Sequence, residues 1–128
     1  TSKPVTKAPF FAIASEKTQS VITDYTAAPL YFTAQNNGTH EWLIEFEKQP
    51  TSMEAFVFEL DSALRNINSD YDAKRYRDIA LRPPIVRQLP TGTFNRWLNS
   101  KGKLGGQHKV PRLSNDRKYI DEILLLIN

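Results

Sequence analysis

Between His40 and Glu47 the chain alternates: Trp42, Ile44 and Phe46 fall on one side, Glu41, Glu45 and Glu47 on the other. Successive side chains of an extended strand point to opposite faces, so this run is a strand with one packing face and one acidic face. Like charges at this spacing read as a solvated face, and no paired-carboxylate acid/base site is expected from them. Directly after Pro50 the period changes. Met53, Phe56, Val57, Leu60, Leu64 and Ile67 recur three and four residues apart, which is the mark of an amphipathic helix. Thr51 and Glu54 form a capping-box pattern at its start. A strand running into a helix within a few residues points to a mixed fold.

The other elements are read from the same two periods. Residues 9–20 predict a helix, with Pro9 in its first turn and Phe10, Ile13, Ala14 and Lys17 on one face. Residues 21–25 and 29–34 are rich in Val, Ile, Tyr, Phe and Thr and predict two extended segments separated by Ala27-Ala28-Pro29. Gln35-Asn36-Asn37-Gly38 is a turn, its Asn-Gly suited to a tight hairpin. Residues 69–79 predict a short helix capped by Ser69 or Asp70. Pro83-Pro84 forces extension, 85–89 is a short strand, and Thr91-Gly92-Thr93 opens a helix bearing Phe94, Trp97 and Leu98. Residues 100–115 read as irregular, since three of the five glycines lie there. Asn115 or Asp116 caps a last helix with Ile120, Ile123, Leu124 and Ile127 on one face. The expected fold is α+β: a small mixed sheet packed with helices in a single domain.

Composition excludes several functions. No apolar run approaches the ~20 residues of a membrane span. The absence of cysteine removes disulfides, thiol nucleophiles and thiolate metal sites. His40 and His108 have no partner at metal-ligand spacing, so no metal site is expected, and Asn37-Gly38-Thr39 reads as a turn in preference to a glycosylation sequon. No leader sequence is evident, and the cytoplasm is the expected compartment.

Charge is uneven. Residues 1–64 carry a net −4, residues 65–118 a net +9 and the last ten −2. A basic segment attracts phosphate, whether on a nucleotide, a nucleic acid or an acidic partner. Tyr71, Lys74, Arg75, Tyr76 and Arg77 invite a nucleic-acid reading, against a plainer one in which the tyrosines pack inward and the cations face water. Lys101 to Arg112 holds three lysines, an arginine, a histidine and three glycines. Glycines let backbone amides approach an anion and lysines supply point charge, although the Walker spacing is absent.

Gly105-Gly106-Gln107-His108-Lys109-Val110-Pro111-Arg112, preceded by Leu89-Pro90-Thr91-Gly92-Thr93-Phe94, resembles the Gretchen Hagen family of auxin-responsive amido synthetases. Plant members show an Asn-Gly-Thr-Phe run followed by a Gln-Tyr-Lys-x-Pro-Arg type run. Bacterial members look closer, and the resemblance spans roughly residues 12–127. It implies the small C-terminal domain of an acyl-adenylate-forming enzyme, a mobile lid (residues 10–128) beginning after a linker or cut edge (residues 1–9). The family activates a carboxylic acid with ATP and Mg²⁺, then transfers the acyl group to an amine. By resemblance, ATP and Mg²⁺ are held mainly by an N-terminal adenylating domain of the same polypeptide, and the isolated lid is expected to be inactive. The superfamily lysine that serves adenylation matches Lys109. Arg112, Lys103, Lys101, Gly105 and Gly106 are the expected phosphate or nucleotide contacts, and His108, where plant members carry tyrosine, is a further candidate. Nucleic acid is not the expected partner, but a stand-alone basic nucleic-acid-binding module is the competing reading.

Overall fold

A computed structural model describes residues 9–32, 37–76, 81–105, 112–114 and 116–127. The chain runs α1 (Pro9–Thr18), β1 (Val21–Phe32), β2 (Asn37–Lys48), α2 (Met53–Ile67), α3 (Ser69–Arg75), β3 (Ile85–Gln88), α4 (Thr93–Gly105) and α5 (Lys118–Leu126). The strands form one mixed sheet in the order β1-β2-β3, antiparallel across β1 and β2 and parallel across β2 and β3. A parallel neighbour needs a crossover, which α2 and α3 provide. The fold is α+β, as the sequence predicts. Among the described residues, no helix is long and apolar enough to cross a membrane.

The central strand β2 is covered on both faces. Trp42, Ile44 and Phe46 pack with Phe11, Ala14, Phe56 and Leu60 of α1 and α2. Leu43 packs on the opposite side with Phe94, Trp97, Ile120 and Ile123 of α4 and α5. The helix pairs therefore bury the face that carries Glu41 and Glu45, which are 2% and 9% exposed. This corrects the expectation of a solvated acidic row, for which only Glu47 qualifies as exposed. Arg87 and Arg117 bind the Glu41 carboxylate, the latter at 2.7 Å. Glu45 accepts hydrogen bonds from the backbone N–H of Gly92 (3.2 Å) and Phe94 (2.8 Å), satisfying donors at the start of α4. Gly92 presents its amide with φ of 90°, a conformation glycine adopts without a Cβ penalty.

Several boundaries differ from expectation. The two predicted segments are one strand, Val21–Phe32, since Pro29 lies on the edge strand, where a missing N–H does not break the ladder; residues 33 and 34 lie outside the described residues. The α2 cap is Ser52, whose Oγ accepts from the Ala55 N–H, in place of Thr51. The α3 cap is Asn68, whose side chain accepts from the Tyr71 N–H, in place of Ser69 or Asp70. The helix α4 continues to Gly105, so the first part of the expected irregular stretch is helical. Asp116 accepts from the Lys118 N–H at the start of α5. Arg75 is buried rather than solvated, clamped to Asp61 at 2.6 Å. Of the expected edge 1–9 only Pro9 is described, as the first residue of α1; Gln35, Asn36, Arg77 and Asn115 lie outside the described residues.

Candidate functional site

The residues singled out between 101 and 112 divide between two described ends and a middle. Gly106, His108 and Lys109 lie outside the described residues, as does the side chain of Lys103; Gly105 is the last residue of α4. The leading end is α4. Phe94 and Trp97 seat it in the second core, and Trp97 Nε1 donates to Glu122 Oε1 of α5 at 3.1 Å. Lys101 Nζ pairs with the same oxygen at 2.9 Å. The Lys101 hydrogen bond holds the Glu122 carboxyl below its ordinary value, outweighing the opposing effect of burial.

The trailing end is Arg112 to Ser114. The Ala27 N–H donates to Arg112 O at 2.9 Å, and the Ser114 N–H to Ala27 O at 3.1 Å. Leu113 thereby forms a parallel bridge to Ala27 on the outer edge of β1. Arg112 Nη1 donates to Asp24 Oδ1 and to Tyr25 O (3.1 Å), and its guanidinium lies 4.6 Å from the centre of the Tyr25 ring. Beside this bridge is a cleft of about 290 Å³ bounded by Pro29, Tyr31, His40, Leu113 and Ser114. His40 stacks on Tyr71 with ring centres 6.3 Å apart. Burial, with the nearby Lys74 charge, lowers its pKa.

Lys101 is thus tied to α5 and Arg112 to β1, through different carboxylates. The anchoring partners Asp24, Tyr25 and Glu122 were not among the residues marked by sequence. One signal was available: Asp24 is a lone acid inside the β-rich run Val21-Ile22-Thr23-Asp24-Tyr25. Several cations of the basic segment are paired with carboxylates of the same chain. Arg65 pairs with Asp72, Lys74 with Asp70, Arg75 with Asp61, and Arg87 and Arg117 with Glu41. Lys101 and Arg112 are both engaged by carboxylates, and the described residues contain no acidic or histidine cluster fit for a divalent cation.

The profile of the GH3 family C-terminal domain matches residues 11–118. No curated protein matches the chain in sequence. Among solved structures, "GH3.15 acyl acid amido synthetase" superposes with a TM-score of 0.66 at 20% identity, covering 88% of this chain and 20% of that one. "AtGH3.15 acyl acid amido synthetase in complex with 2,4-DB" gives 0.67 at 16% identity, over 91% of this chain and 22% of that one. The chain therefore spans about a fifth of the length of these structures, and at such identity the likeness is one of fold.

Proposed function

This chain belongs to the GH3 family, as its C-terminal domain, and on that premise we propose that it is the closing domain of an ATP-dependent acyl acid amido synthetase-like enzyme. The observation that carries the reading is the family match over residues 11–118, which includes the Gln107-His108-Lys109-Val110-Pro111-Arg112 run. In this reading an N-terminal domain of the same polypeptide holds the carboxylic acid, ATP and Mg²⁺, and this domain brings Lys109 to them. Attack of a carboxylate oxygen on the α-phosphorus passes through a five-coordinate state with added negative charge, and the bond from the α-phosphorus to the β-phosphate oxygen breaks to release pyrophosphate. An ammonium delivered at that moment stabilises the transition state more than the ground state. Touching both carboxylate and phosphate, it also aligns the attack. The acyl-adenylate then passes its acyl group to an amine and releases AMP.

The described cations are expected to support this chemistry indirectly. Lys101 and Arg112 hold the two ends of the segment containing Lys109 against α5 and β1. The basic-module alternative draws no support from the arginines that are paired with carboxylates of the same chain.

The test uses the full polypeptide. Lys109→Ala should lower acid-dependent ATP–pyrophosphate exchange by more than about tenfold, the scale of a lost transition-state contact. Exchange at the wild-type rate would remove Lys109 from the reaction. The isolated domain should catalyse no exchange.

A further inference from the structure

We propose that Asp24 is a positioning residue for adenylation: through Arg112 it sets where the backbone stands just beyond Lys109. The inference rests on the reading of Lys109 given above.

Arg112 follows Lys109 by three residues, so the two α-carbons are at most about 11 Å apart. The short covalent tether therefore limits how far the lysine can stand from Arg112. Arg112 is held three ways by the first part of β1: by the Asp24 carboxylate, by Tyr25 O at 3.1 Å and by the face of the Tyr25 ring. The carboxylate is itself oriented, because Asp24 Oδ1 also accepts from the Tyr25 N–H at 2.9 Å. Tyr25 is 6% exposed and packs against Phe11 and Trp42, so the support reaches the aromatic core.

The β1–β2 ladder is irregular beside Asp24. It shifts between Val21 and Ile22 and shifts back between Ile22 and Asp24, so that Val21 pairs with Lys48, Ile22 with Phe46 and Asp24 with Glu45. Ile22, Tyr25 and Ala27 all join the first core, while Asp24 meets Arg112. A half-exposed ion pair adds little to global stability. A small misplacement of a reacting group, by contrast, is costly to rate. The pair's main effect is therefore on geometry.

This role differs from direct phosphate binding by Arg112, and the two separate experimentally in the full polypeptide. Asp24→Asn and Arg112→Gln should each lower kcat for ATP–pyrophosphate exchange by about tenfold or more, leaving KM for ATP within about twofold. The double variant should be no worse than the poorer single one, since both break the same contact. Conversion of a synthetic acyl-adenylate and an amine to amide should proceed at the wild-type rate, because that half-reaction does not use the lysine. A merely structural loss would slow both half-reactions and lower the melting temperature in step, which would overturn the proposal. So would additive effects, or a raised KM for ATP with kcat unchanged. If Asp24→Asn folds poorly, Arg112→Gln carries the same measurements. Wild-type exchange in Asp24→Asn beside a crippled Lys109→Ala would remove Asp24 alone, whereas wild-type exchange in Lys109→Ala would remove the parent reading and this one with it.

Discussion

Glu41 and Glu45 show what a residue's neighbours decide. Their alternation with Trp42 and Ile44 identifies the strand without the structure. What the alternation does not carry is whether the second face meets water. Here α4 and α5 cover it, and each acid is matched to donors: arginines for Glu41, helix amides for Glu45. Burial raises the pKa of the Glu41 carboxyl, but hydrogen bonds and charge from Arg87 and Arg117 prevail and hold it below its ordinary value. Glu41→Ala leaves these guanidiniums without their shared partner. It should cost about 2 kcal/mol in urea unfolding, the scale of losing hydrogen bonds to a charged group. A loss under about 1 kcal/mol, as for a surface pair, would mean that the network is dispensable.

At the scale of elements, the helices and strands were legible by existence and less so by their ends. The stretch 53–67 announces itself by its apolar spacing, whereas its cap turns on which of two adjacent hydroxyls reaches an amide. Ser52 does, at 3.2 Å from the Ala55 nitrogen. Ser52→Ala is expected to lower stability by about 1 kcal/mol, with Thr51→Ala within about 0.5 kcal/mol of wild type; equal losses in thermal unfolding would contradict that assignment. The extension of α4 to Gly105 runs against the poor helix propensity of Gly102 and Gly105. Contacts of Trp97 and Lys101 with Glu122 of α5 lie just before these glycines and hold the helix in place. The hairpin between β1 and β2 shows the converse, a residue type dictated by crowding. A Cβ on Gly38 would stand 2.6 Å from Leu30 O, closer than side chains come to backbone.

Across the whole molecule the charge imbalance becomes complementarity. Carboxylates of the acidic first half, Asp24, Glu41 and Asp61, receive cations from the basic segment: Arg112, Arg87, Arg117 and Arg75. The same pairs fix the sign of the pH dependence. Burial works to raise the Asp61 pKa, but hydrogen bonds from Arg75 and Tyr71 bring it below its ordinary 3.8, as Glu41 lies below 4.5. A carboxylate with a depressed folded-state pKa binds protons more readily when unfolded. Its stabilisation is complete above the unfolded value and is lost as pH falls through the folded one. His40, whose pKa is lowered from 6.5, starts the decline earlier, since the unfolded imidazole takes up a proton first. The urea midpoint should therefore hold near neutral pH, slip below about 6.5 and drop steeply below about 4. A midpoint unchanged down to pH 3 would contradict these pairings.

Local order along the chain was enough to establish an α+β domain, its order of elements and the family to which it belongs, because hydrophobic period and motif spacing are properties of neighbouring residues. The sequence also drew attention to Lys101 and Arg112 as cations flanking Lys109. Their partners came only with the tertiary structure. Arg112 meets Asp24 across 88 intervening steps of chain, and Arg117 meets Glu41 across 76. A buried charge is stable only beside its counter-charge. The packing of α4 and α5 on β2 buries Glu41, and the bridge of Leu113 to Ala27 on β1 brings Arg112 to Asp24.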